Sequence, residues 1–302
     1  MKFKNIFLGL FFCILIYVFS ALHYKTFLPD NSFLFGITTF VYLLAGTVYL
    51  IYWIFGLENI TFLASSIGWG GFLTNILAFI IRWIQTHKAG FGYIPLSNLY
   101  ESLVFFGGCI TGIYLFWELR LTKKILGSIV FLLASFVMAF ATLKVSSSIQ
   151  PLIPALKSNW LVAHVITCFL GYGAFAVGFA ASIIYLCSDI FNMQKIFPDK
   201  KTLDNFIYKI TLFGFFWLSL GIITGAVWAD QAWGSYWSWD PKETWSFITW
   251  LVYGSIIHMR LTKGWSGKRL SWMNIIGFIC VLFTYFGVNF LLSGLHSYAT
   301  LD

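Results

Sequence analysis

Charge is what this sequence lacks. Only 10% of its 302 residues are Asp, Glu, Lys or Arg, against roughly 25% in ordinary soluble domains, too few to solvate a globular surface. No polar block is long enough to form a separate soluble domain. Cysteine occurs only as isolated residues. Cys13, Cys109, Cys168, Cys187 and Cys280 form no CxxC pair, which argues against a dithiol redox centre or a zinc site. CxxCH is missing as well, so the chain is not itself a c-type cytochrome. Each cysteine falls in an apolar stretch and reads as a small buried hydrophobe. The net charge is +8, but the basic residues form short clusters and no continuous stripe, so nucleic-acid binding is a poor reading.

What is present is apolar surface, at 59% hydrophobic residues and a mean hydropathy of +0.83. Stretches of about 20 apolar residues recur along the whole chain, the length a bilayer core of about 30 Å requires. The expectation is an all-α, polytopic integral membrane protein forming one membrane-embedded domain over 1–302. About nine spans are placed near 5–23, 33–55, 60–84, 98–117, 125–143, 160–187, 206–228, 244–261 and 272–293. The first could be taken for a signal peptide, but its apolar run is long and no small-x-small site follows before Tyr24-Lys25, so retention is expected. With the N-terminus on the n-side (stroma or cytoplasm) and the C-terminus on the p-side (lumen or periplasm), 13 of the 19 basic residues fall on the n-side and 6 on the p-side. That distribution follows the positive-inside rule.

Aromatic side chains crowd the connection between the seventh and eighth spans. Trp228, Trp233, Trp237, Trp239 and Trp245 lie within 18 residues, 5 of the 14 tryptophans in the chain, with Tyr236 and Gly234 among them. Two readings fit. One is an interfacial belt at headgroup level; the other is a flat apolar platform able to receive a planar macrocycle. Asp240-Pro241-Lys242-Glu243 reads as N-cap, N1, N2 and N3 of the eighth helix, a capping box with Pro at its favoured position. Asp240 and Glu243 are therefore assigned as structural caps of the loop, and Asn98-Leu-Tyr-Glu101 opens the fourth span in a similar way.

Five histidines remain: His23, His87, His164, His258 and His296. On the topology above, His164 and His296 reach the p-side, as the tryptophan loop does, and two histidines on one face are what axial ligation of a haem iron needs. His258 lies 15 residues beyond Glu243, roughly 22 Å deeper at about 1.5 Å per residue, so it cannot share an iron with a p-side histidine. It either marks a second, deeper site or simply bonds a neighbouring helix. A deep haem would need a second ligand from another subunit, or would be five-coordinate.

Trp233-Gly-x-x-Trp237-x-Trp239-Asp240-x-x-Glu243-x-Trp245 resembles the WWD signature of the haem-handling CcsA, CcmC and CcmF family of cytochrome c biogenesis. Gly225-Ala-Val-Trp-Ala through Trp250 resembles its plastid and cyanobacterial branch. So do Pro95-Leu-Ser-Asn-Leu-Tyr-Glu-Ser102, Trp160-Leu-Val-Ala-His164, and Tyr285-Phe-Gly-Val-Asn289 leading to Gly294-Leu-His-Ser-Tyr298. The likeness covers a core over 91–302, with the loop at 228–245, and is weak over the variable spans of 1–90. Asp230-Gln231 stands where relatives usually carry an Asn-Glu pair. His23 and His87 match no ligand of the family and read as interfacial.

The resemblance implies that His164 and His296 flank the loop and ligate haem on the p-side, that His258 is a further intramembrane haem ligand, and that Trp233, Trp237, Trp239 and Trp245 hold the porphyrin. It implies b-type, non-covalent haem in transit, presented to apocytochrome c whose CxxCH thiols add across the vinyl groups. The chain would then be part of a haem-lyase complex with a CcsB/ResB-type partner and a thiol-reducing pathway. Two other classes of protein compete with this reading. A b-type electron-transfer protein would need a second deep histidine in this chain, and none is seen. A haem or small-molecule transporter would be supported by internal repeats, and no obvious one exists. Many Phe, Ile, Lys and Asn residues and the short length point to a plastid thylakoid membrane, with a bacterial inner membrane as the alternative.

Overall fold

The computed structural model of the chain describes residues 3–188, 197–292 and 294. Among them every regular element is helical: α1 Lys4–Tyr24, α2 Asn31–Phe55, α3 Thr61–Lys88, α4 Leu99–Glu118, α5 Leu126–Lys144, α6 Asn159–Cys187, α7 Lys200–Trp233, α8 Pro241–Lys263 and α9 Lys268–Leu282. A π-helical turn, Phe283–Gly287, carries α9 into a last short helix, α10 (Val288–Leu291). The protein is an all-α, polytopic membrane protein. Eight helical segments are long and apolar enough to cross a bilayer. The expected span at 244–261 is the exception. It is helical, as α8, but His258, Arg260 and its Trp, Ser and Thr residues keep it below that apolarity.

Helix ends follow capping chemistry and not the limits of hydropathy. Side chains of Asp30, Asn98, Ser158, Asp199 and Asp240 accept the first free amides of α2, α4, α6, α7 and α8, as N-caps do. The span expected at 206–228 therefore begins six residues earlier, behind Asp199. It ends five residues later, where Gly234 takes the left-handed conformation (φ 77°). Hydropathy marks only the apolar middle of such a helix.

The helices gather into two compact units, Met1–Pro151 and Leu152–Thr300. In the first, α2 packs between α3 and α5, and the unit buries two charged clusters. Arg82 and Glu101, both fully buried, pair at 2.9 Å. The remaining guanidinium N–H groups reach Asn31 and the carbonyls of Ser147 and Ser148, while Ser97 donates to Glu101 through N and Oγ. Glu118 accepts from Tyr49, from Ser65 at 2.6 Å and from Tyr114 at 3.0 Å, with Lys124 at 3.7 Å. Buried charges persist only when compensated in this way.

The second unit is organised on α6 and α7, which run against each other along most of their length, with α9 on the other side of α6 and α8 packed on α7 and α9. Tyr253 of α8 stacks on Phe175 of α6 with centroids 3.5 Å apart. At the opposite end from the tryptophans, Arg260 pairs with Asp204 at 2.6 Å.

Candidate functional site

His164 is set in a notch cut by glycine. It stands one turn into α6, half-buried, and its Nδ1 donates to the carbonyl of Gly221 on α7 at 2.8 Å. A carbonyl can only accept, so this bond places the proton on Nδ1 and the lone pair on Nε2, the arrangement metal-ligating histidines use. The notch exists because α7 offers no side chain there. A Cβ at Gly225 would fall 2.5 Å from Nδ1 of His164, and one at Gly221 would fall 2.5 Å from Sγ of Cys168. Trp228 stacks on the imidazole (centroids 5.9 Å, 18°) and anchors its own indole N–H on the carbonyl of Ala155 at 2.9 Å. Trp233 meets Trp228 edge-on at 4.9 Å. Gln231 accepts from Ser158, the N-cap of α6, at 2.8 Å and ties the two helix ends together.

The tryptophan connection is shorter than the sequence suggested. Trp228 and Trp233 belong to α7 and Trp245 to α8, so the non-helical stretch is 234–240 and carries only Trp237 and Trp239. Its geometry is set by one carboxylate. Oε2 of Glu243 accepts from the amides of Ser238 (2.8 Å) and Asp240 (3.2 Å) and from Oγ of Ser238 (3.2 Å), while Asp240 accepts from the amide of Lys242 (3.0 Å). Both halves of the capping box are formed. Between the two pinned amides Trp239 is forced to φ +58°, a left-handed conformation costly for a bulky L-residue. Its ring is nonetheless 66% exposed, touching Trp237 edge-on at 5.7 Å. An exposed aromatic held in a strained backbone is a ring on display, not one packed away.

From this connection an aromatic face continues along α8. Phe247, Trp250, Gly254 and His258 recur at three- and four-residue spacing, on one side of the helix. Phe247 stacks on Trp250 (6.1 Å, 11°) and Trp250 on Phe215 of α7 (5.2 Å), with its indole N–H on Ser219 at 2.8 Å. His258 is exposed and its side chain makes no hydrogen bond among the described residues. It lies about 26 Å along the axis from Pro241 at about 1.5 Å per residue, so it does not join His164. His296 lies outside the described residues. Gly294 lies against the cap of α8, where a Cβ would fall 2.3 Å from Oδ1 of Asp240.

The π turn completes the site. Thr284 bridges to Thr249 (2.9 Å) and to the carbonyl of Trp245 (3.2 Å), and Phe283 packs on Trp245 at 4.1 Å. Beyond the turn, Asn289 accepts from Nζ of Lys242 at 2.7 Å. Gly221, Gly225, Cys168, Lys242 and Asn289 were not singled out from the sequence as site residues, although Gly225, Lys242 and Asn289 fall in segments that carry the resemblance. His23 and His87 stand elsewhere, His23 stacked on Phe33 at 5.3 Å and His87 bonded to the carbonyl of Trp83 at 2.9 Å.

The family described as cytochrome C assembly protein matches residues 96–296. The chain is 41% identical over 267 residues to the cytochrome c biogenesis protein CcsA of Guillardia theta, covering 78% of this chain and 86% of that one. It is 44% identical over 239 residues to CcsA of Chlamydomonas reinhardtii, covering 75% of this chain and 65% of that one. To CcsA of Mesostigma viride it is 38% identical over 312 aligned positions, covering 92% and 98%. Among solved structures, the cytochrome c heme lyase CcmF shares the fold, with a TM-score of 0.65 at 19% identity over 88% of this chain and 47% of that one. The chain thus spans less than half the length of CcmF.

Proposed function

The chain belongs to the cytochrome c assembly protein family, and on that premise we propose that it binds haem and presents it for attachment to apocytochrome c. Haem is here the cargo. The observation that carries the reading is the Nδ1 bond of His164 to Gly221, which leaves Nε2 as the ligating nitrogen beside a cluster of tryptophans. Haem iron takes such an imidazole as an axial ligand, and exposed indoles offer a macrocycle apolar, stackable faces.

In this reading His164 and His296 ligate the iron from its two faces on the p-side. Trp233, Trp237, Trp239 and Trp245 hold the porphyrin with its vinyl edge accessible, and Asp240 and Glu243 fix the connection that carries them. Thioether formation is the chemistry of the haem and of the CxxCH thiols, and this chain positions the reactants. His258 is a second, deeper station. Its exposure on α8 suits a ligand set completed by a CcsB/ResB-type partner, and the aromatic face of α8 gives haem an apolar route between the stations. The N-terminus lies on the n-side and the C-terminus on the p-side of a plastid thylakoid membrane. A thiol-reducing pathway keeps the acceptor cysteines ready.

The test is to purify the protein with its partner and record reduced absorption spectra of wild type and of His164→Ala, His258→Ala and His296→Ala. A bis-histidine spectrum disturbed by the first and third changes, with a separate loss in the second, is the expected result. A wild type that copurifies with no haem from haem-replete cells overturns the proposal.

A further inference from the structure

Two hydroxyls in the interior of the second unit differ from the other buried hydroxyls around them. Tyr253 and Ser271 are fully buried, and neither hydroxyl has a hydrogen-bond partner among the described residues. Serines on these helices commonly bond the carbonyl four residues back, as Ser20, Ser66, Ser182 and Ser219 do. Ser271 does not, so its hydroxyl is directed into the interior instead. The phenol of Tyr42 accepts from Thr111 at 2.9 Å, and that of Tyr49 donates to Glu118. Tyr253 rests its ring on Phe175 and sets its phenol end into a notch at Gly277, where a Cβ would fall 2.8 Å from Cζ. A bare buried hydroxyl is unfavourable, and two in one bundle call for a partner.

Both belong to a line of buried polar groups along the inner face of α9. Gly267 donates its amide to Asp204 at 2.6 Å, and Ser271 follows one turn on. Asn274, 1% exposed, accepts from Thr211 of α7 at 2.7 Å and donates to the carbonyl of Leu270 at 3.1 Å. Gly277 comes next, with Tyr253 in its notch. One turn along α8 from Tyr253 lies Thr249, bonded to Thr284, and both are within hydrogen-bond distance of the carbonyl of Trp245. Positions 267, 271, 274 and 277 share a helix face, about 5–6 Å apart from turn to turn. One water molecule making two hydrogen bonds of about 2.8 Å spans that interval. There is room beside the amide. Outside its own helix, a Cβ at Gly178 of α6 would meet nothing nearer than Ile210 at 3.4 Å and Oδ1 of Asn274 at 3.6 Å. A gap bordered by several polar groups takes water, whereas an apolar one stays dry.

We propose that ordered water completes Ser271, Asn274 and Tyr253, giving the second unit a hydrogen-bonded thread from the Asp204–Arg260 pair to the Thr249–Thr284 pair. The thread holds solvent in the core of the unit that carries His164, and it reaches within one helical turn of Trp245. It stands apart from the haem reading, and its test needs no haem.

The experiment uses the full chain with its partner, in detergent. Tyr253→Phe and Ser271→Ala are followed by thermal unfolding, because bare and hydrated hydroxyls predict opposite signs. Removing a bare hydroxyl relieves the protein and raises the melting temperature, whereas removing a hydrated one breaks its bond and strands the water's other contacts. The expected result is a fall of about 2–4 °C in each variant, the effect of one hydrogen bond in a unit of this size. Radiolytic labelling read by mass spectrometry reports on the wild type, since hydroxyl radicals formed from bound water mark the side chains that line it. Tyr253 should be oxidised faster than Tyr42 and Tyr49, which are equally buried but already partnered. A melting temperature unchanged or raised in either variant, or labelling of Tyr253 no faster than of Tyr42 and Tyr49, overturns the proposal. The labelling stands alone if a variant does not fold.

Discussion

Replacing Gly225 with alanine tests whether the notch, and not merely the presence of an imidazole, makes His164 a ligand. The new Cβ would sit 2.5 Å from Nδ1, 2.7 Å from Cε1 and 3.4 Å from Cγ of His164. The ring cannot swing aside freely, because Trp228 stacks on it and Gly221 holds its Nδ1. Losing that hydrogen bond costs about 0.5–1.5 kcal/mol, and overpacking a filled site costs about 1–3 kcal/mol more. Alanine returns up to about 1 kcal/mol in helix propensity. The net expectation is a loss of about 1–3 kcal/mol, together with displacement of the ligating nitrogen. Gly254→Ala is the matched control, since its Cβ would meet only Phe215 at 3.5 Å, an ordinary contact. Thermal unfolding in detergent, followed by tryptophan fluorescence, should rank Gly254→Ala at or above wild type and Gly225→Ala below it. The reduced haem spectrum should change only in Gly225→Ala. If Gly225→Ala keeps the wild-type spectrum and stability, the notch does not position the imidazole.

Two further predictions concern energetics. At Trp239 the left-handed backbone costs about 1–2 kcal/mol for any residue with a Cβ, so Trp239→Gly should be more stable than Trp239→Ala by about 1 kcal/mol. This reverses the usual order, in which glycine destabilises; the ordinary order in melting experiments would refute the strain argument. In the first unit, Arg82→Ala or Glu101→Ala alone should cost about 3–5 kcal/mol by stranding a buried charge, whereas Arg82→Met with Glu101→Leu should cost less than either single change. Simple additivity of the two sites in a double-mutant cycle would count against direct coupling of the pair.

The membrane fold is legible in the sequence because hydropathy and caps are local properties. Scarce charge and repeated apolar runs announce the helices, and Asp240, Pro241 and Glu243 carry the instructions for starting α8 within four residues. What hydropathy misjudged was reach. It stopped α7 at 228 because Asp230 and Gln231 are polar, yet a polar residue ends an apolar run without ending a helix, and Gly234 is the true stop. The interior of the site was not legible for a different reason. That His164 would meet Gly221 and Gly225, or Lys242 meet Asn289, depends on how α6, α7, α8 and α10 face one another, and such pairings join residues 47 to 61 positions apart. Arg82, inside the span expected at 60–84, likewise finds its buried partner Glu101 only through the packing of α3 on α4.

The π turn at Phe283–Gly287 gives the chain's length a chemical meaning. A π turn holds one residue more than the α-helical turn it replaces, and each residue of an α-helix advances the face by about 100°. Removing any single residue from 283–287 would close the turn into regular helix with Asn289 still facing Lys242, whereas removing a second would swing it about a quarter of the way round, away from Lys242, with every side-chain identity at the site preserved. Spacing through this segment is thus as much a determinant of the site as its composition. A homologue of identical signature but two residues shorter here would be expected to have lost the contact.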